Sequence, residues 1–99
     1  MISEFVASKK KFIDWATNSS MQRVARLILS LEQRLEERGL AQNGSFHFPL
    51  RYRHISDALG MTQVHVNRVM TTLRSEGIIE LEKQILHIKQ HRELVAASK

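Results

Sequence analysis

The side chains best suited to chemistry lie between Thr62 and Ser75, and the chemistry they suit is recognition rather than bond-making. At about 100° per residue, Val66, Val69, Met70 and Leu73 fall on one side of a helix, at i, i+3, i+4 and i+7. The opposite side gathers Val64, Arg68, Thr71 and Ser75, flanked by Gln63, His65, Asn67 and Thr72. No acid enters this stretch before Glu76, so the outward face would not repel phosphates. It offers an arginine fork for guanine, amides for adenine and a methyl-bearing surface for thymine. Gln63, Val64, Asn67 and Arg68 are therefore the candidates for contact with base edges. Arg51, Arg53, His54, Arg74 and Lys83 are candidates for phosphate contacts, although exposed cations are common on any surface. Thr71 joins them as a backbone contact. His65 fits either a phosphate contact or cover for the helix edge, and Thr62 fits an N-cap first and a contact second.

Other chemistries find little support. The chain has no cysteine, which excludes disulfides, thiolate metal sites and cysteine nucleophiles. His87 and His91 are four apart, but a strand end intervenes and no carboxylate cluster completes a site. Neither a metal nor another cofactor is expected. There is no glycine-rich phosphate loop and no nucleophile beside a base, so an enzyme is not expected either. The 99 residues suit one domain, and 42% of them are hydrophobic, which predicts a folded chain. A net charge of +5 suits an anionic partner, though small domains are often basic for other reasons. No apolar run approaches the roughly 20 residues of a membrane span. The opening Met1-Ile2-Ser3-Glu4-Phe5 lacks a basic region followed by an apolar core, so a cytoplasmic chain is expected.

Ile2, Val6, Ile13 and Ala16, with Phe5 and Phe12 alongside, form an interrupted helical stripe that needs a partner surface. The Lys9-Lys10-Lys11 run within it reads as a solvated face. Asn18-Ser19-Ser20 offers caps for a second helix, whose buried face would be Val24, Leu27, Ile28, Leu31 and Leu35, with Glu32 on or beside the wet side. Arg38-Gly39 ends that helix. Ala41 to Ser45 reads as a turn pivoting on Asn43-Gly44. Phe46, Phe48 and Leu50 alternate with His47 and Pro49 as a strand, which Pro49 would place at a sheet edge. A short helix from Arg53 to Leu59 would bury Ile55, Ala58 and Leu59, and Gly60 stops it. Small Ala58 would let the next helix approach closely. That helix runs from its cap Thr62 to about Glu76. Ile78–Glu82 and Ile85–Ile88 read as a hairpin through Lys83-Gln84, and His91 to Ala97 as a last helical turn or two. The fold class is thus mainly α with a small antiparallel β-sheet: a winged helix-turn-helix over residues 18–99 behind a helix over 1–17.

The run Ala58-Leu59-Gly60-Met61-Thr62, Val64-His65-Val66-Asn67-Arg68 and Leu73-Arg74-Ser75-Glu76-Gly77-Ile78-Ile79 resembles the C-terminal domain of the Crp/Fnr transcription regulators. Arg23-Val24-Ala25-Arg26-Leu27 and Gly44-Ser45-Phe46-His47-Phe48-Pro49-Leu50 extend the likeness over about residues 20–89. The resemblance implies double-stranded DNA as partner, an inverted-repeat operator, a homodimer and RNA polymerase as a further candidate partner. It also implies that residues 1–17 end a dimerisation helix, with Phe5, Phe12, Ile13 and Ala16 at the dimer interface and the effector-binding barrel absent. No small molecule is then expected on this chain. Family base-reading positions fall on Gln63, Val64 and Arg68. Arg68 matches the recurrent arginine, whereas Gln63 and Val64 depart from the charged pair of the best-known members. Arg51 stands where relatives often have a threonine cap. The alternative is a winged-helix module for protein interaction or dimerisation without DNA binding, since fold alone does not separate the two.

Overall fold

The computed structural model describes the backbone of residues 2–99 and the side chains of residues 20–99. The element order is α1 (Ile2–Glu37), β1 (Ala41–Gln42), β2 (Ser45–His47), α2 (Tyr52–Leu59), α3 (Gln63–Ser75), β3 (Ile79–Glu82), β4 (Ile85–Ile88) and α4 (His91–Ala97). This is the mainly helical architecture with a small antiparallel sheet that the residue pattern predicts.

A single helix of 36 residues runs through Asn18, Ser19 and Ser20, where a break was expected. Residues such as Ser and Asn cost well under 1 kcal/mol each inside a helix. Stopping and re-nucleating costs more, because a new first turn fixes three residues for one hydrogen bond. The inner face of α1 is also rotated from the expected one. Its buried line is Met21, Val24, Ala25, Ile28 and Glu32, while Leu27, Leu31 and Leu35 are half-buried on its flank. Glu32 thus occupies an apolar-face position, and His91 Nε2 meets its Oε1 at 3.0 Å. Arg26 Nε donates to the Ser98 carbonyl at 2.7 Å. These two contacts and buried Leu94 fasten α4 along α1.

The four strands form one antiparallel sheet in the order β1-β2-β4-β3. Pro49 does not mark an edge: it lies past the end of β2, which is an interior strand, and the edges are β1 and β3. Phe48 still donates its amide to the Gln84 carbonyl at 2.7 Å. Register alternates the faces, with Phe46 opposite Leu86 and Leu81 opposite Leu86 on the inside, and Ser45 opposite His87 and Glu80 opposite His87 on the outside. The β1–β2 turn uses Asn43 and Gly44, both at positive φ, as a tight antiparallel connection requires. A Cβ on Gly44 would stand 3.1 Å from the Ile88 carbonyl oxygen, so the close strand approach also needs glycine. The β3–β4 turn achieves the same geometry with Lys83 and Gln84, at φ 53° and 65°. Left-handed backbone costs a side-chain-bearing residue roughly 1–2 kcal/mol, and the paired strands hold both residues there.

Candidate nucleic-acid interface

Two short helices meet at a tight turn. Helix α2 begins after Arg51, which has no side-chain acceptor to cap it; the N3 residue His54 instead reaches back, its Nδ1 accepting the Arg51 amide at 3.2 Å. Its buried residues are Ile55 and Ser56, with Leu59 half-buried; Ala58, expected inside, is exposed. The helix is turned toward Ser56, whose hydroxyl is satisfied by the Arg53 carbonyl at 2.8 Å and can therefore be buried without loss. Gly60 then takes φ 65°, ψ 36°, and the chain reverses into α3. Arg23, exposed on α1, brings its guanidinium to this turn: a Cβ on Gly60 would lie 3.7 Å from its Nη2.

Thr62 caps α3, its Oγ1 accepting the His65 amide at 3.2 Å. Val66, Met70 and Leu73 are fully buried and Val69 nearly so, which fixes the rotation of the helix. Gln63, Val64, His65, Asn67, Arg68, Thr71, Arg74 and Ser75 are all exposed on the other side. Thr72 folds back on the helix, donating to the Arg68 carbonyl at 2.9 Å. The first turn of α3 contains no acid, so the partial positive charge of its N-terminus stays unneutralised by side chains of its own turn. Arg51, Arg53 and His54 are exposed at the start of α2, and Lys83 at the β3–β4 turn.

The structure also brings acids close to part of this surface, which spacing along the chain does not reveal. A shallow groove of about 560 Å³ between α3 and β3 is lined by Thr71, Arg74 and Ser75 on one side and by Glu80 and Glu82 on the other. Glu80 pairs with Lys89 at 3.5 Å, both side chains well exposed. Outside that groove the recognition surface carries Arg68 on α3 and Arg51 and Arg53 at the start of α2, where Asp57 is also exposed, while the hairpin is of mixed charge. The histidines are engaged elsewhere. His87 Nδ1 shares a 2.5 Å hydrogen bond with Ser45 Oγ, and His91 meets Glu32. Among the described residues no three His, Asp or Glu side chains gather as metal ligands, and no helix is long and apolar enough to cross a membrane. The dimer candidates Phe5, Phe12, Ile13 and Ala16 lie outside the residues whose side chains are described.

Residues 22–97 match the family of Crp-like helix-turn-helix domains. The chain belongs to that family. A Crp-like helix-turn-helix domain is a DNA-binding output domain of transcription regulators rather than an enzyme. Among solved structures, FixK2 from Bradyrhizobium japonicum is 27% identical, with a TM-score of 0.68 over 81% of this chain and 38% of that one. The CO-dependent transcription factor CooA from Carboxydothermus hydrogenoformans is 21% identical, with a TM-score of 0.72 over 93% of this chain and 42% of its own. The catabolite activator protein of Thermus thermophilus is 19% identical, with a TM-score of 0.61 over 98% and 44%. The last two likenesses concern the fold. This Crp-like chain thus spans between 38% and 44% of the length of these relatives. No curated protein sequence matches it.

Proposed function

We propose that the chain binds double-stranded DNA sequence-specifically, with α3 in the major groove. One observation carries this reading: four buried apolar residues turn Arg68, Asn67 and Gln63 outward together on a helix face free of acids. Arg68 is the principal base reader, suited to the O6 and N7 of guanine. Gln63, Val64 and Asn67 reach base edges beside it. Thr62 at the cap of α3 with His65, Thr71 and Arg74 along it, Arg51 at the cap of α2 with Arg53 in its first turn, and Lys83 on the hairpin hold the phosphates. Arg74 shares its groove with Glu80 and Glu82, so its hold on phosphate is the weaker for it.

The further assembly belongs to the same proposal. The N-terminal part of α1 pairs two copies through Phe5, Phe12, Ile13 and Ala16, so that two α3 helices meet half-sites about 34 Å apart. The operator is then an inverted repeat, and the setting is the cytoplasm, where RNA polymerase is a further partner. Selection of bound duplexes from random DNA, run at two salt concentrations, tests the reading. Enrichment of an inverted repeat that persists at the higher salt supports it. Uniform binding that fades with salt alone contradicts it, because phosphate attraction without base readout behaves that way.

A further inference from the structure

We propose that Val64 reads the 5-methyl group of a pyrimidine in the major groove, one or two base pairs from the base that Arg68 reads. The inference rests on α3 being the groove-entering helix and names what that helix prefers. Val64 is 65% exposed, the second residue of α3, one turn ahead of Arg68. Single exposed hydrophobics are ordinary on protein surfaces; what distinguishes this one is its place. A carboxylate in this turn would favour the helix through its macrodipole, and the turn has none. Valine is instead a weaker helix former and leaves its methyls in water.

Its chemistry narrows what it can sense. The side chain neither donates nor accepts a hydrogen bond, so the polar edges of guanine, adenine and cytosine give it no partner. The apolar feature of the major groove is the C5 methyl of thymine, and 5-methylcytosine presents the same group. Being β-branched, Val64 is stiff at χ1 on a helix, so docking its methyls costs little side-chain entropy. Four residues of helix advance about 6 Å, and base pairs stack at about 3.4 Å, which sets the one- or two-step offset from the base read by Arg68.

The test uses the duplex that the intact chain enriches from random DNA. Each thymine of a half-site is replaced singly by 2′-deoxyuridine, which removes the methyl and leaves the hydrogen-bonding edge. At one position, within two base pairs of the preference relaxed by Arg68→Ala, affinity should fall roughly three- to fivefold, the worth of one methyl withdrawn from water. In Val64→Ala, whose fold is checked by its unfolding temperature, the thymine–uracil difference should shrink toward one while the Arg68-dependent preference persists. Placing 5-methylcytosine or cytosine opposite guanine at that position separates the sources: recovery with the methylated base assigns any 5-methylpyrimidine, and no recovery assigns thymine. Equal binding of thymine and uracil at every position, a half-site with no thymine in that window, or a difference that survives Val64→Ala overturns the proposal. Failure to enrich any duplex overturns the reading of α3 as well.

Discussion

The direction in which Arg68 points is decided by residues that never meet solvent. Val66, Met70 and Leu73 have no exposed surface, and withdrawing such side chains from water is worth roughly 1.5–3 kcal/mol each, far more than any preference of an arginine for one surface over another. This rotation was legible in the sequence because it depends only on the 3.6-residue period. Glu32 was not legible, because a carboxylate on an apolar stripe is explained only by His91, 59 residues away. The pair makes a prediction. His91→Ala leaves Glu32, which is 7% exposed, without that partner, and should cost about 1–3 kcal/mol, read as a lowered unfolding temperature. Glu32→Leu should be near neutral or stabilising, since an apolar residue suits that buried position and the His91 imidazole, more than half exposed, can then turn to water. Equal destabilisation by both changes would contradict the account.

Elements were legible wherever a local rule names them. Thr62, Gly60 and Gly77 bracket α3 by capping chemistry alone, and alternation in Ile78–Ile88 gives the hairpin. What escaped is what only the assembled molecule decides: the unbroken α1, the interior position of β2, the two-residue strand β1, and the exposure of Ala58. The turns give an opposed pair of expectations. Gly60→Ala should lower stability by about 1–2 kcal/mol; the nearest atom to the added Cβ, Arg23 Nη2 at 3.7 Å, is at ordinary contact distance, so the cost is backbone strain and not a clash. Gln84→Gly should raise stability, because Gln84 at φ 65° already bears that strain. Thermal unfolding of the two variants checks both signs, and a domain of this size shifts by about 4–8 °C per kcal/mol.

At the scale of the whole molecule, α1 joins the recognition unit to whatever lies along its N-terminal half. If that half pairs two copies, Ile13→Asp should move the chain toward monomer in analytical ultracentrifugation, whereas an unchanged mass would remove the dimer. Binding to two half-sites should weaken in parallel, because one chain then meets only one of them. The surface charge adds a further signature: log affinity should fall linearly with log salt, with a slope of about −0.9 for each phosphate engaged. Base readout is the part that salt does not imitate. The most direct measurement is therefore the affinity of Arg68→Ala and the unaltered chain for the selected duplex and for a scrambled one at the same salt. The account predicts a loss of about 1–3 kcal/mol on the selected duplex, with relaxed preference at one base pair and little change on the scrambled one. Equal losses on both duplexes would mean that Arg68 holds phosphate and that α3 does not read sequence through it.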